Sequence, residues 1–115
     1  MITLKTLETA NAQEVFDQVA AHLLKQNAQS KLNNRCRYRG ENGMKCAIGC
    51  LMSDSEYNQE WEGINVYILS CQGMVSFNHR KLLRELQWVH DEFKPEEWPK
   101  ELERVAKEFD LEFRS

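Results

Sequence analysis

Residues 76–93 read SFNHRKLLRELQWVHDEF, and they form the clearest predicted helix of the chain. Its apolar residues recur at the three- and four-residue spacing of one helix face. Pro95 cannot continue a helix, so the helix is predicted to end before it. A helix with one apolar stripe needs other elements to cover that stripe, which predicts a helical domain. The stripe and its flanking residues are Leu82, Leu83, Leu86, Val89, His90 and Phe93.

Two further amphipathic helices are predicted, one on each side of this stretch. Residues 11–27, NAQEVFDQVAAHLLKQN, carry an apolar stripe, and Asn11 with Glu14 has the form of a capping box. Residues 99–111, PKELERVAKEFDL, carry a second stripe, with Pro99 suited to the first helical position. The predicted inward residues are Val15, Phe16, Val19, Ala20, Leu23, Leu24, Leu102, Val105, Ala106 and Phe109.

The middle of the chain is less regular. Residues 28–43 read as a long polar loop, and KCAIGCLM at 45–52 as a short buried helix bearing cysteines. Residues 64–77, INVYILSCQGMVSF, fit either a small β-hairpin or an irregular helix. We therefore expect one mainly α domain over residues 1–115, with three amphipathic helices, a short Cys-bearing helix and a hairpin at 64–77 as the open alternative.

The composition is that of an ordinary globular protein. Hydrophobic residues make up 42% of the 115 residues, charged residues 29%, and the formal net charge is −3. No apolar run approaches the roughly 20 residues that a membrane span needs. Residues 1–13 lack the basic start and apolar core of a signal peptide. We therefore expect a cytoplasmic protein that has no contact with a membrane and keeps its cysteines reduced.

The segment CRYRGENGMKCAIGC, residues 36–50, allows three interpretations of its cysteines. In the first, Cys36, Cys46 and Cys50 bind zinc, with Cys71, His79 or His90 as the fourth ligand. Zinc prefers such thiolate and imidazole ligands, although structural sites usually contain paired C-x-x-C motifs. In the second, the cysteines are small core residues and no cofactor is bound, an interpretation that the small, apolar surroundings favour.

The third interpretation is a Cys-dependent enzyme. Cys46 follows Lys45 and would open the predicted short helix, and both features lower the pKa of a thiol. His90 would be the base. Adjacent helix residues point about 100° apart, however, so Asp91 is predicted to be poorly placed to orient His90. A non-enzymatic protein is the favoured reading.

Residues 31–45 form a basic segment with five basic residues and one acidic residue. Its net charge is +4, so the rest of the chain carries −7. Arg and Tyr are favoured anchors at protein interfaces, and a basic loop with an aromatic residue can also bind nucleic acid. The acidic remainder favours a protein partner. The predicted binding residues are Arg35, Arg37, Tyr38, Arg39 and Lys45, and Arg39 is also predicted to pair with Asp54, Glu56 or Glu62.

Two sequence patterns resemble those of a family of small bacteriophage and prophage proteins. The first is C-x-Y-R-x(3)-G-x(2)-C-A-x-G, from Cys36 to Gly49, and the second is L-Q-x-x-H-D, from Leu86 to Asp91. The resemblance extends over roughly residues 10–112 and attaches no catalytic role to these positions. It implies a bacterial host cytoplasm and a protein that acts by binding host machinery.

The sequence therefore predicts a non-enzymatic binder that modulates or inhibits a host protein or defence complex. Two alternatives stay open: a zinc-stabilised module that contacts nucleic acid, and an enzyme using Cys46 and His90. The sequence leaves the identity of the partner and the oligomeric state undetermined.

Overall fold

The computed structural model describes residues 1–32, 35–73, 75 and 77–113. Within these ranges the fold is mainly α, as predicted. The α-helices are α1 (Leu4–Leu7), α2 (Ala12–Gln26), α3 (Val66–Cys71), α4 (Arg80–Glu92) and α5 (Trp98–Glu108). Two short strands, β1 (Lys31–Leu32) and β2 (Arg35–Cys36), pair antiparallel, with Lys31 opposite Cys36. Single 3₁₀ turns span Glu41–Gly43, Gly49–Leu51, Gln59–Trp61, Phe77–His79 and Pro95–Glu97.

The three predicted amphipathic helices are confirmed as α2, α4 and α5. The capping box of α2 is formed: Asn11 Oδ1 accepts the N–H of Glu14 at 2.8 Å, and Glu14 Oε1 accepts the N–H of Asn11 at 3.0 Å. Beyond α5 the chain turns back at Asp110, whose φ is +56°, and the N–H of Leu111 donates to the carbonyl of Ala106 at 2.7 Å. Local caps therefore set the helix ends where the sequence places them.

The core lies where α2, α4 and α5 pack together. Their predicted stripes are buried except for Leu24, Phe93 and Phe109, which are partly buried against the core, and Trp98 at the start of α5 is fully enclosed. The indole N–H of Trp98 donates to the carbonyl of Phe93 at 3.0 Å, and its ring stacks on His90 with centroids 5.7 Å apart. Each fully buried large apolar side chain contributes about 1.5–3 kcal/mol by leaving water. Packing of these helices is thus the main source of stability.

The predicted Cys-bearing helix at 45–52 is present in a shortened form, and the segment is largely buried as predicted. Only Gly49–Leu51 forms a 3₁₀ turn. Within the segment the N–H of Cys50 donates to the carbonyl of Cys46 at 3.0 Å, whereas the N–H of Cys46 donates to the carbonyl of Tyr38 and the N–H of Ile48 to Gln87 Oε1. Gly49 is pressed against the backbone of Tyr38, so that a Cβ there would lie 2.0 Å from the carbonyl oxygen of Tyr38. These tertiary contacts restrict the helix to a single turn.

The β-hairpin alternative at 64–77 is wrong. Residues 66–71 form α3, whose N-terminus is capped by Asn65, since Asn65 Oδ1 accepts the N–H of Ile68 at 3.0 Å. The strand pair lies instead at β1 and β2, inside the predicted long loop. Met74 and Ser76 of the first segment, and Asn33 and Asn34 of the second, lie outside the described residues. None of the helices in the described ranges is long and apolar enough to cross a membrane.

Candidate binding groove

One face of α4 points away from the core and lines a cavity. Arg84, Gln87, Trp88 and Asp91 follow one another at spacings of three and four residues, so they share this face. The cavity has a volume of about 580 Å³, which lies in the range of ligand-binding sites. Trp88 is 52% exposed, the largest exposed side chain on this helix face. The fold therefore leaves an aromatic ring uncovered at a concave surface.

The opposite wall comes from two separate segments, residues 36–38 and residues 62–67. We call this feature the groove: residues 36–38 and 62–67 on one side, and the α4 face on the other. On its rim, the ring of Tyr67 lies under the guanidinium groups of Arg80 and Arg84, at 5.2 and 5.1 Å from the ring centroid. These cation–π contacts fix one arginine-aromatic cluster at the edge of the groove.

Glu62 fastens the two segments of that wall. Its Oε1 accepts the N–H of Tyr38 at 2.9 Å, and its Oε2 accepts the N–H of Arg39 at 3.1 Å. The hydroxyl of Tyr57 donates to the same Oε2 at 2.5 Å, and the Nε of Arg37 lies 3.7 Å from it. The side chain of Glu62 is only 10% exposed. Its charge is thus satisfied within the wall and is not presented to a ligand.

A buried polar network lies behind Asp91. The fully buried His90 accepts the N–H of Ser30 at Nε2, at 2.9 Å, and its Nδ1 lies 2.7 Å from Asp91 Oδ1. Gln87 donates to that same oxygen at 2.8 Å and accepts the N–H of Ile48 at 3.1 Å. The prediction that Asp91 cannot orient His90 is therefore wrong. It considered only the directions of the Cα–Cβ bonds, whereas side-chain torsions bring the two groups together.

Cys36, His90 and Asp91 form a cluster that could hold a metal ion, with one ligand atom of each within 4.8 Å of the others. Hydrogen bonds already occupy this cluster. Because Ser30 donates to Nε2, that nitrogen is unprotonated, and the ring proton of neutral His90 lies on Nδ1, directed at Asp91. A metal on Nδ1 would displace this proton and require Nε2 to give up the N–H of Ser30. The hydrogen bonds therefore oppose zinc at this cluster.

The other predicted zinc ligands are not part of this cluster. Cys46 is fully buried, and its sulfur accepts the N–H of Gly49 at 3.3 Å. The thiol of Cys50 donates to the carbonyl of Ala47 at 3.0 Å, and Cys71 is exposed on α3. Among the described residues, Cys36 therefore clusters with His90 and Asp91 rather than with the predicted Cys46, Cys50 and Cys71.

The surroundings of Cys46 also disfavour the alternative in which its thiol is reactive. Burial raises the pKa of the Cys46 thiol, and the N–H groups near its sulfur do not offset this. The predicted helix that would have lowered the pKa does not begin there. Burial likewise raises the pKa of Cys50 to about 12 and that of Cys36, with help from Asp91, to about 11. These thiols are protonated at neutral pH, whereas the nucleophile is the thiolate.

Two of the five predicted partner-binding residues support the fold. Tyr38 is buried, and its hydroxyl donates to the carbonyl of Ile64. Arg39 donates to Asp54 at 2.8 Å, which confirms that predicted pair, and to the carbonyl of Met52 at 2.7 Å. These two side chains hold the loop in place.

The other three residues are more accessible. Arg35 is exposed on β2, and the half-buried Arg37 lines the groove. Lys45 is bound to α2 through its backbone, with its N–H donating to Gln26 Oε1 at 3.0 Å and its carbonyl accepting from His22 at 2.8 Å. The role of these residues in binding a partner stays a prediction.

The sequence did not point to Tyr67, Arg84 or Trp88 as binding residues. One signal was available for two of them. The apolar stripe of α4 is complete without Trp88, so a tryptophan one turn after Arg84 on the remaining face is surplus to the core. Tyr67 carries no comparable signal, because its segment was read as either hairpin or helix.

Comparison of the chain with protein-family models, with curated proteins and with solved structures gives no match. The arrangement of the groove residues is therefore the basis for a functional assignment.

Proposed function

We propose that this chain is a non-enzymatic binding protein that captures a protein of a bacterial host cytoplasm and modulates or inhibits it. The groove is its binding face. The observation that carries the proposal is the exposed Trp88, next to Arg84, in a concave surface of about 580 Å³. Tryptophan, tyrosine and arginine are the residues that contribute most to protein interfaces.

The chemistry of the titratable groups supports a binder over an enzyme. The raised pKa values of Cys36, Cys46 and Cys50 leave these thiols protonated. His90 is fully buried with both ring nitrogens in hydrogen bonds, so it has no free position toward a substrate. A nucleophile with an accessible base is what covalent catalysis requires.

The test begins with capture from bacterial lysate by three forms of the tagged protein. These are the wild type, the double variant Arg84→Ala with Trp88→Ala, and a matched control that also removes one cation and one exposed apolar side chain. The control is Lys81→Ala with Ile68→Ala, since both residues are exposed and neither lines the groove. Variants of Arg39 are unsuitable because this side chain holds the loop.

Any captured protein is then purified and titrated against the three forms by calorimetry. We expect the wild type and control to bind alike and the groove variant to bind at least 10-fold more weakly, as interface anchors of this type do. Equal binding by all three forms would place the interface elsewhere. If the wild type captures no protein above background, the proposed function is wrong.

A further inference from the structure

We infer that the groove takes an acidic peptide segment of its partner, with a carboxylate side chain next to an apolar or aromatic one. This inference rests on the proposed binding function and specifies the occupant of the same groove. It follows from which charged groups in the groove are already paired within the protein and which are not.

The two acidic side chains of the groove are satisfied internally. Glu62 accepts two backbone N–H groups and the hydroxyl of Tyr57. Asp91 accepts from Gln87 and His90, and the thiol of Cys36 also hydrogen bonds to it. Each carboxylate is therefore already hydrogen bonded to several donors within the protein. A cationic ligand would have to compete with these bonds to gain an acceptor.

Of the two basic side chains of the groove, Arg84 keeps unused donors, whereas Arg37 is already ion-paired with Glu62. Among the described residues Arg84 has no carboxylate partner, and its contact is with the ring of Tyr67. The Nε of Arg37 is buried without a hydrogen bond, since Glu62 lies 3.7 Å away. A guanidinium group that lies over an aromatic ring retains its N–H groups for a carboxylate. The groove therefore offers positively charged hydrogen-bond donors that have no partner in the protein, and these favour an anionic ligand.

The apolar surface specifies the remainder of the occupant. Trp88 and Tyr67 line the groove together with Ile64 and Val66. A volume of about 580 Å³ accommodates a few side chains rather than a folded element. An acidic side chain beside an apolar one would pair with Arg84 and cover Trp88 at the same time.

The charge distribution favours a peptide over a nucleic acid. Nucleic-acid binding depends on several phosphate contacts made by Lys and Arg. The groove lining has Arg37 and Arg84 as its basic residues and also contains two carboxylates. Outside residues 31–45 the chain carries a net charge of −7, which repels an extended polyanion. With Arg37 paired to Glu62, Arg84 suits one carboxylate.

The test uses two-dimensional NMR of the tryptophan indole N–H signals in the whole chain, with the Trp88 signal assigned from Trp88→Phe. The probes are the blocked peptides Gln-Glu-Tyr-Gln-Gln and Gln-Gln-Tyr-Gln-Gln, and an oligothymidylate of five nucleotides. We expect the acidic peptide to shift the Trp88 signal in a saturable way. The neutral peptide should bind at least five-fold more weakly, and so should the oligonucleotide.

A second arm uses Arg84→Gln and the control Lys81→Gln, both on exposed positions of α4. We expect Arg84→Gln to weaken the acidic peptide at least five-fold and Lys81→Gln to leave it unchanged. Equal or tighter binding of the oligonucleotide, or no shift of Trp88 by the acidic peptide, would overturn the inference. If capture of a host protein depends on Trp88 but is unaffected by Arg84→Gln, the acidic occupant is overturned and the binding function still stands.

Discussion

The imidazole of His90 accepts the backbone N–H of Ser30 at 2.9 Å, although 60 residues separate them in the chain. The ring is fully buried, and on its other side Nδ1 lies 2.7 Å from Asp91. One histidine therefore fixes the segment that follows α2 to the last turn of α4. Both contacts hold the ring in place beside the groove-lining Asp91.

Replacing His90 by Phe should destabilise the domain by about 3 kcal/mol, because the buried N–H of Ser30 would lose its acceptor. Replacing Asp91 by Asn should cost less, about 1 kcal/mol, because its side chain is 31% exposed and the new amide can still accept from His90. Urea unfolding followed by circular dichroism measures both values. Equal costs for the two variants would contradict the anchoring role of His90.

Gly49→Ala should destabilise the domain by about 3 kcal/mol or more, because the added Cβ would meet the carbonyl oxygen of Tyr38 at 2.0 Å. The matched control is Gly43→Ala, where nothing lies within 4 Å and only the positive φ of +74° is unfavourable. We expect that control to cost about 1 kcal/mol. Thermal unfolding of the two variants distinguishes a packing effect from a backbone effect, and a tolerated Gly49→Ala would contradict the described packing.

Alkylation by N-ethylmaleimide at pH 8 should modify Cys71 first, because it is exposed. A thiol with a pKa of about 11, as in Cys36, is roughly one-thousandth thiolate at this pH, compared with about a quarter for an ordinary thiol. We expect Cys36 to react at least 100-fold more slowly than Cys71, and the fully buried Cys46 last. Peptide mapping by mass spectrometry gives the order. Early modification of Cys46 would revive the enzyme hypothesis.

The stability of the domain should fall as the pH is lowered from 7 to 5, in part because of His22. Burial lowers the pKa of His22, and the nearby charge of Lys45 adds to this, despite the hydrogen bond to the Lys45 carbonyl. The unfolded chain, with a histidine pKa near 6.5, therefore takes up protons first. The stability from His22 is fully present above this value and is lost as the pH falls.

The variant His22→Gln isolates this contribution, since an amide can still donate to the Lys45 carbonyl without titrating. Between pH 7 and 5 we expect the variant to lose less free energy of unfolding than the wild type. Parallel pH profiles for the two proteins would show that His22 has the same pKa in both states.

Zinc at a 1:1 ratio should leave the melting temperature of the wild type unchanged, because the proton on His90 Nδ1 and the Ser30 hydrogen bond occupy the cluster. Differential scanning calorimetry with zinc or with a chelator measures this. An increase of several degrees that disappears in Cys36→Ala would show instead that the three groups rearrange around the metal.

The sequence was sufficient to predict those helices for which the apolar periodicity and the capping residues indicate the same element. The stripes of α2, α4 and α5 and the Asn11–Glu14 capping box predicted these helices correctly. The segment 45–52 could not be predicted in the same way. Its amides bond to Tyr38 and Gln87, which are distant in sequence, so local preference did not decide its conformation. The α3 segment stayed undecided between hairpin and helix because Asn65, the residue that caps the helix, lies inside a pattern that also fits strands.

The candidate site was predicted less well than the fold. The basic segment drew attention to Arg37 and Tyr38, which do line the groove. The sequence could not show that Tyr38 and Arg39 would be held by Ile64 and Asp54, because such pairings depend on the tertiary path of the chain. The charge of the basic segment, residues 31–45, therefore indicated the region of the groove. Burial, which the sequence could not show, determines which side chains of that segment remain accessible.

The hydrogen bonds of Glu62 have a consequence for local dynamics. The N–H groups of Tyr38 and Arg39 donate to this carboxylate at 2.9 and 3.1 Å rather than to a neighbouring strand. Their exchange with deuterated solvent should therefore report the release of a single side chain. If the wall formed by residues 36–38 separates from residues 62–67, these two amides will lose protection together, while amides inside α4 remain protected. Hydrogen exchange at two backbone positions thus gives a direct measure of how often the two segments of this wall come apart.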